Sequence, residues 1–281
     1  MGNNGLRNIG VVGNGFVGSA VAFGFSHLTG CEANVRVYDK DKSRSSAELS
    51  DVVNESDFIF VSVPTPANSD GSVNIDIVED VFAEMNELNT SKNNIFLLRS
   101  TVVPGTTRKI QEDCPNLNIV FNPEFLTEKS AKFDFINPSR FILGGFQKVL
   151  DYHTIKAGDL LKWRFGPSVP IIKTDYETAE FIKYMNNCYF ATKVSFLNEM
   201  NQIASECGVN WDAAIDGFSR DGRVGHSHLS VPGPDGKYGF GGSCFPKDIQ
   251  AMISFAKTLG VEPTMLEGAW SKNLEVRPSD T

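Results

Sequence analysis

At 281 residues, with 41% hydrophobic and 21% charged residues, the chain has apolar material for one large or two ordinary domains. Its formal net charge of -8 argues against a nucleic-acid binder, which carries a basic patch, and leaves open small anions, which local groups can hold. Five scattered cysteines with no CxxC or His–Cys cluster argue against a disulfide framework or structural zinc, and no stretch nears the roughly 18 apolar residues of a membrane span, so a cytoplasmic setting with no membrane and no metal is expected.

The apolar run Asn8-Ile9-Gly10-Val11-Val12 reads as a strand and ends in Gly13-Asn14-Gly15-Phe16-Val17-Gly18, followed by a small-residue helix from Ser19. A GxGxxG placed between strand and helix is a dinucleotide fingerprint: Gly13 for the tight turn, Gly15 for backbone approach to a pyrophosphate, Gly18 for close helix packing. The next strand, Asn34 to Tyr38, ends at Asp39, 21 residues after Gly18. A carboxylate there accepts from both ribose hydroxyls and repels a 2'-phosphate, so NAD is expected rather than NADP. Further on, Ala47–Val53 suggests a short helix, Phe58–Val63 a buried strand, Ile75–Met85 a helix, Ile95–Leu98 a strand, a helix through Ile110, and Ile119–Phe121 and Arg140–Leu143 two more strands. Apolar runs without alternation, separated by helices, imply a parallel sheet covered on both faces, a doubly wound α/β fold of Rossmann type. Val63-Pro64-Thr65, Thr101, Glu124 and Glu128 each follow a strand and so belong on the carboxyl rim with the cofactor.

Lys148 to Phe165 has no readable period, and Val169–Ile172 suggests a last strand. From Thr174 to Cys207 neither glycine nor proline interrupts the chain, which predicts one helix of about 45 Å, opened by a Thr174/Glu177 capping box and stopped by Gly208. Lys183 and Asn187 stand one turn apart on it. The boundary expected is a cofactor domain over 1–173 and a mostly helical central domain over 174–281. A helix around Trp211–Phe218 precedes a Gly/Pro-rich loop, and the tail from Lys272 to Thr281 reads as frayed.

The most informative stretch is Tyr238-Gly239-Phe240-Gly241-Gly242-Ser243-Cys244-Phe245-Pro246-Lys247-Asp248. The glycines leave no bulk beside the sulfur, and Pro246 marks a helix start, which favours thiolate at Cys244. Cys244 is expected to be a covalent nucleophile.

Together the glycine loop, Val63-Pro64-Thr65-Pro66, Ser100-Thr101, Asn122-Pro123-Glu124-Phe125-Leu126 with Glu128, Glu180-Phe181-Ile182-Lys183-Tyr184 with Asn187, Arg223-Val224-Gly225 and the cysteine stretch resemble the UDP-glucose/GDP-mannose dehydrogenases, in family order from Asn8 to Ile253. The resemblance implies oxidation of a nucleotide sugar's C6 alcohol through a Cys244 thiohemiacetal and thioester, with NAD as oxidant. It assigns Lys183 and Asn187 to the oxyanions, and Asp248, Thr101 and Glu124 to proton handling. Glu128 becomes an acid/base or substrate-ordering group. Cofactor contacts fall on Gly13, Asn14, Gly15, Phe16, Val17, Gly18, Asp39, Val63, Pro64, Thr65, Thr101 and Glu128. Substrate contacts fall on Glu124, Phe125, Leu126, Lys183, Asn187, Phe240, Gly241 and Arg223, the last across a homodimer interface on the long helix. Full-length members continue into a third domain that grips the nucleotide, whereas this sequence ends at Thr281. UDP-glucose, GDP-mannose and a UDP-N-acetylhexosamine therefore all stand as substrates, beside a catalytically silent NAD-binding module.

Overall fold

The computed structural model describes residues 6–147 and 151–278. They form two compact units, one within residues 1–65 and 74–183, the other within residues 66–73 and 184–281.

The first unit is a seven-stranded sheet in the order β2-β1-β3-β4-β5-β6-β7. Its strands are β1 (Arg7–Val12), β2 (Ala33–Tyr38), β3 (Phe58–Val61), β4 (Ile95–Leu98), β5 (Ile119–Phe121), β6 (Phe141–Gly145) and β7 (Ile171–Asp175). The helices α1 (Phe16–Gly24), α2 (Leu49–Asn54), α3 (Asp76–Leu88), α4 (Thr106–Asp113), α5 (Ala131–Ile136) and α6 (Tyr152–Phe165) connect them. Strands β3, β4 and β5 are buried throughout, as continuous apolar runs in a doubly covered sheet must be. Two separate cores result, one holding Phe82, Met85 and Phe96, the other Phe25, Phe60 and Phe135. The strand order reverses between β1 and β3, so the loops leaving those strands diverge and open a crevice at the carboxyl edge.

The sheet is parallel from β2 to β5, but β6 runs against β5, joined at Phe121 and Gly144, and β7 follows β6. This corrects the all-parallel expectation. The link from β5 to β6 holds a short 3-10 turn and the six-residue α5, and the chain re-enters the sheet from the carboxyl side. The reversal sets where the next helix begins. Strand β7 ends near the amino edge, where Tyr176 donates to the Ile119 carbonyl at 2.7 Å, and the next helix climbs from there toward the carboxyl rim.

That helix is α7 (Tyr176–Glu206), whose 31 residues correspond to about 46 Å. Its cap is not the expected one. Asp175 accepts the Thr178 N–H at 2.8 Å, and Glu177 turns to Arg108 of α4 instead of back to residue 174. Gly208 adopts φ +69° after its last turn, as an αL stop requires. The division between the units falls within α7, between Lys183 and Tyr184. Residues 66–73, closed by an Ala67–Val73 bridge, belong to the second unit.

The second unit consists of the remainder of α7 with α8 (Trp211–Ser219), α9 (Phe245–Thr258) and α10 (Thr264–Val276). Helix α10 overturns the frayed-tail expectation: it is regular to Val276, Asn273 is fully buried, and Arg277 is buried against Asp235. Residues 279–281 of that stretch lie outside the described residues, as do residues 148–150 of the stretch before α6.

Candidate active site

The glycine loop sits where the crevice opens. Gly13 has φ +86°, and a Cβ there would overlap the Ser62 carbonyl; one on Gly18 would overlap the Gly13 carbonyl. Gly15 faces open space, with no atom within 4 Å of a Cβ built on it, and as N-cap of α1 it supplies no side chain to the first-turn N–H groups. The loop thus leaves a helix N-terminus bare for an anion. Asp39 is tied to it: one carboxylate oxygen accepts the Asn14 N–H at 2.6 Å and the other the Asp41 N–H at 2.9 Å. Each oxygen keeps a lone pair for a ribose hydroxyl. Arg44 is drawn off toward Asp41 at 3.5 Å. Phe16 and Val17 form the first turn of α1. Val63, Pro64 and Thr65 follow β3, with the Val63 carbonyl accepting from the Ser100 hydroxyl at 2.7 Å. The arrangement fits a dinucleotide.

A buried ion pair lies on the same rim. Lys183 donates from Nζ to the Glu124 carbonyl at 2.6 Å and to Glu124 Oε1 at 2.7 Å, with only 3% and 6% of the two side chains exposed. The other carboxylate oxygen of Glu124 takes the Leu126 N–H at 2.6 Å. Burial pushes the Glu124 carboxyl up, but Lys183, the Leu126 N–H and Arg99 together pull it below the usual carboxylate value. The ammonium also lies over the Phe125 ring, 5.4 Å from its centroid. Two of its three hydrogens are used, and the third has no partner among the described residues. Thr101 is half-buried and Glu128 exposed in a short 3-10 turn, Glu128–Ser130; among the described residues neither hydrogen-bonds to this pair.

Two residues of this unit take no site role from the sequence: Arg99 belongs to no motif, and Glu180 stands only as a member of the Glu180–Tyr184 stretch. Arg99, buried at the end of β4, donates to Asn122 Oδ1 at 2.5 Å while its Nε has no partner; Asn122 in turn donates to the Ile142 carbonyl and so fastens the reversed strand. Burial lowers the Arg99 pKa to about 10. Glu180 receives three donors from the start of α4: the Gly105 N–H at 2.7 Å, the Thr107 N–H at 2.7 Å and the Thr107 hydroxyl at 2.6 Å. Burial raises its carboxyl to about 7 against those donors.

In the second unit Cys244 is the N-cap residue of α9, half-buried, with Pro246 in the first turn. Its carbonyl accepts the Asp248 N–H at 2.8 Å, the Ser243 hydroxyl lies 3.7 Å from its sulfur, and no side chain caps the helix. Asp248 is 1% exposed and paired at both oxygens: Asn187 Nδ2 donates to one at 2.6 Å and Lys247 Nζ to the other at 2.5 Å. The neighbouring Cys188 is an inert thiol by contrast, its pKa pushed up to about 12 by burial and by Asp248. Arg223 lies on an exposed loop paired with Asp221, and Lys193 of α7 supports that loop by donating to the carbonyls of Val224, Gly225 and Ser227.

The glycines before the cysteine do less for the sulfur than their sequence suggests. A Cβ on Gly239 would overlap Asn273 Oδ1, and one on Gly241 would lie 2.5 Å from the Arg277 guanidinium; only Gly242, at φ +79°, faces open space. Two of the three are glycine to admit α10 and Arg277. Phe240 is buried, held at both backbone groups by Asn273.

Residues 37–156 match the NAD binding domain of the UDP-glucose/GDP-mannose dehydrogenase family, and residues 177–275 match its central domain. A UDP-glucose 6-dehydrogenase of Haloferax volcanii is 30% identical over 94% of this chain and 68% of its own length. The chain belongs to the UDP-glucose/GDP-mannose dehydrogenase family. Its first unit carries the family's NAD binding domain and most of its second the central domain. A GDP-mannose 6-dehydrogenase of Pseudomonas syringae pv. tomato is 32% identical over 83% of this chain, which spans about half (54%) of that relative. A UDP-glucose dehydrogenase of Pyrobaculum islandicum superposes with a TM-score of 0.81 at 27% identity, over 98% of this chain and 70% of that one.

Proposed function

We propose that this family member oxidises the C6 alcohol of a nucleotide sugar to the carboxylate in two successive two-electron steps, with UDP-glucose as the first substrate to test. The observation that carries the reading is Cys244 at the uncapped N-terminus of α9, in a segment that matches the family's central domain. NAD, when bound, supplies the hydride acceptor for each oxidation.

The chain's own residues account for the rest. The alcohol loses a proton and a hydride to become an aldehyde. The Cys244 thiolate adds to that carbonyl, forming a C–S bond and an oxyanion at C6. Loss of the second hydride converts the adduct to a thioester. Water then cleaves the C–S bond, releasing the carboxylate, a proton and the free thiol. Covalent capture matters because an aldehyde is a poor hydride donor until something adds to its carbonyl. Lys183 has one N–H to spare for a developing oxyanion, and Asn187 is fixed by Asp248. Glu124 keeps the lysine charged and oriented. Because its own carboxyl is held below the ordinary value, it serves as an electrostatic partner more readily than as a proton donor. Thr101 is the half-buried hydroxyl for a water-mediated proton path, and Glu128 an exposed carboxylate for ordering substrate. Phe125, Leu126, Phe240, Gly241 and Arg223 are assigned to the sugar nucleotide, and a second copy of the chain to the exposed face of α7.

The test is NADH production from a panel of UDP- and GDP-sugars. The expected result is two NADH per sugar, with Cys244→Ala blocking the second oxidation while NAD still binds. Uronic acid formed by Cys244→Ala at the parent rate would make the cysteine structural. Turnover of GDP-mannose alone would move the substrate to that nucleotide. Absence of NADH with every sugar would favour a silent NAD-binding module.

A further inference from the structure

The segment before Cys244 is held from the side by α10, in a way that no step of the oxidation requires on its face. Asn273, fully buried in the last turns of α10, accepts the Phe240 N–H at 2.7 Å and donates to the Phe240 carbonyl at 3.0 Å. One side chain thereby satisfies both backbone groups of a buried residue. Asn198 of α7 accepts the Gly239 N–H at 3.0 Å. Arg277, 7% exposed, lies across the bare faces of Gly239 and Gly241, with Nη2 donating to Asp235 at 2.7 Å and Nη1 to the Tyr238 carbonyl at 3.5 Å. Backbone from 238 to 241 is therefore gripped at several points. Only Gly242 and Ser243 separate it from Cys244, which the first turn of α9 fixes on its other side through the Asp248 N–H.

We propose that Asn273 and Arg277 are positioning residues for Cys244: the grip of α10 on the glycine segment sets where the sulfur stands at the start of α9. The catalytic consequence rests on Cys244 being the nucleophile; the positional one does not. Two rigid anchors joined by two residues leave the sulfur little freedom. Covalent capture demands reacting atoms about 3–3.5 Å apart, where a displacement of about 1 Å costs on the order of 10²-fold. Releasing one anchor also lets the sulfur drift from the helix N-terminus that favours its thiolate.

The experiment uses the full chain with Cys207→Ser, which removes the exposed cysteine; Cys31, Cys114 and Cys188 are buried. Iodoacetamide labelling of Cys244 is followed as a function of pH in the parent, Asn273→Ala, Arg277→Ala and Arg277→Met, the last retaining an aliphatic stem over the glycines if the alanine variant does not fold. The expected result is an alkylation profile displaced by about one pH unit, hence about tenfold in rate near neutrality, with NAD affinity unchanged. Where the parent turns over a sugar, kcat is expected to fall about 10²-fold. A second arm measures thermal unfolding of Gly241→Ala, Arg277→Ala and the double variant. The added methyl and the guanidinium compete for one space, so the double variant is expected to be no less stable than the worse single. Parent-like alkylation profiles in Asn273→Ala and the folded Arg277 variants, or fully additive destabilisation in the double variant, would overturn the proposal. If the parent oxidises no sugar, the functional reading fails while the labelling and unfolding arms still decide this one.

Discussion

At position 39 a carboxylate keeps one free lone pair on each oxygen and stands beside the glycine loop, while Arg44, five residues on, is engaged with Asp41. Titration calorimetry is therefore expected to show NAD binding well above NADP, with Asp39→Ala narrowing the gap; equal binding of the two by the parent would refute the ribose role. Lys183 and Glu124 invite a sharper experiment. Removing one partner of a buried pair strands the other charge, so Lys183→Ala is expected to cost about 3–5 kcal/mol in denaturant unfolding. Replacing both, as Lys183→Met with Glu124→Gln, is expected to recover much of that stability and none of the activity. Failure of the double replacement to recover stability would mean that the ammonium and carboxylate are not each other's main partners. Glycine loop, Asp39 and Cys244 were all legible in the sequence because each belongs to a local pattern of residue type and spacing. Arg99 and Asn273 were not, because their partners lie 23 and 33 residues away and neither residue type announces burial.

Among the elements, α7 follows from its uninterrupted composition, while its cap lies one residue beyond the expected Thr174: both Thr174 and Asp175 are good caps, and with Glu177 paired to Arg108 the capping box does not form. The direction of β6 was equally hidden, since an apolar run of four or five residues says nothing of which way it points. Within α7, Glu180 makes a testable demand on pH. Its carboxyl is raised to about 7 from an ordinary value of 4.5, so its contribution to stability is fully present below about 4.5 and is lost as pH rises through about 7. Chemical denaturation at pH 5, 6, 7 and 8 is expected to show the parent losing stability relative to Glu180→Gln across that range. Parallel pH curves for the two would remove Glu180 as the titrating group. Glu124 acts in the opposite sense: its depressed carboxyl contributes above the ordinary carboxylate range and ceases to do so as pH falls through its lowered value.

For the whole molecule, the relevant surface is one side of α7. Phe181, Met185, Tyr189, Phe196, Met200 and Ile203 are 39–57% exposed and, at 100° per residue, fall within about a third of the helix circumference. Such a stripe suits a second copy of the chain. Val194 of the same helix is half-buried and stands off the stripe. Light scattering is expected to give a dimer at micromolar concentration, converted to monomer by Tyr189→Glu with Phe196→Glu; a monomer in the parent would leave Arg223 without a neighbouring subunit to serve. Among the described residues no helix is long and apolar enough to cross a membrane.

The carboxylate that closes the start of α4 comes from Glu180, 73 residues beyond Thr107. A growing chain at roughly 5–20 residues per second thus leaves the ribosome with α4 made and its cap about 4–15 s in the future. During that interval the N–H groups of Gly105 and Thr107 have only water, and an eight-residue helix is too short to hold itself together. Helix α4 therefore acquires its stability late, together with the first turns of α7, and its amides are expected to exchange with solvent in step with those turns and apart from those of β3 and β4.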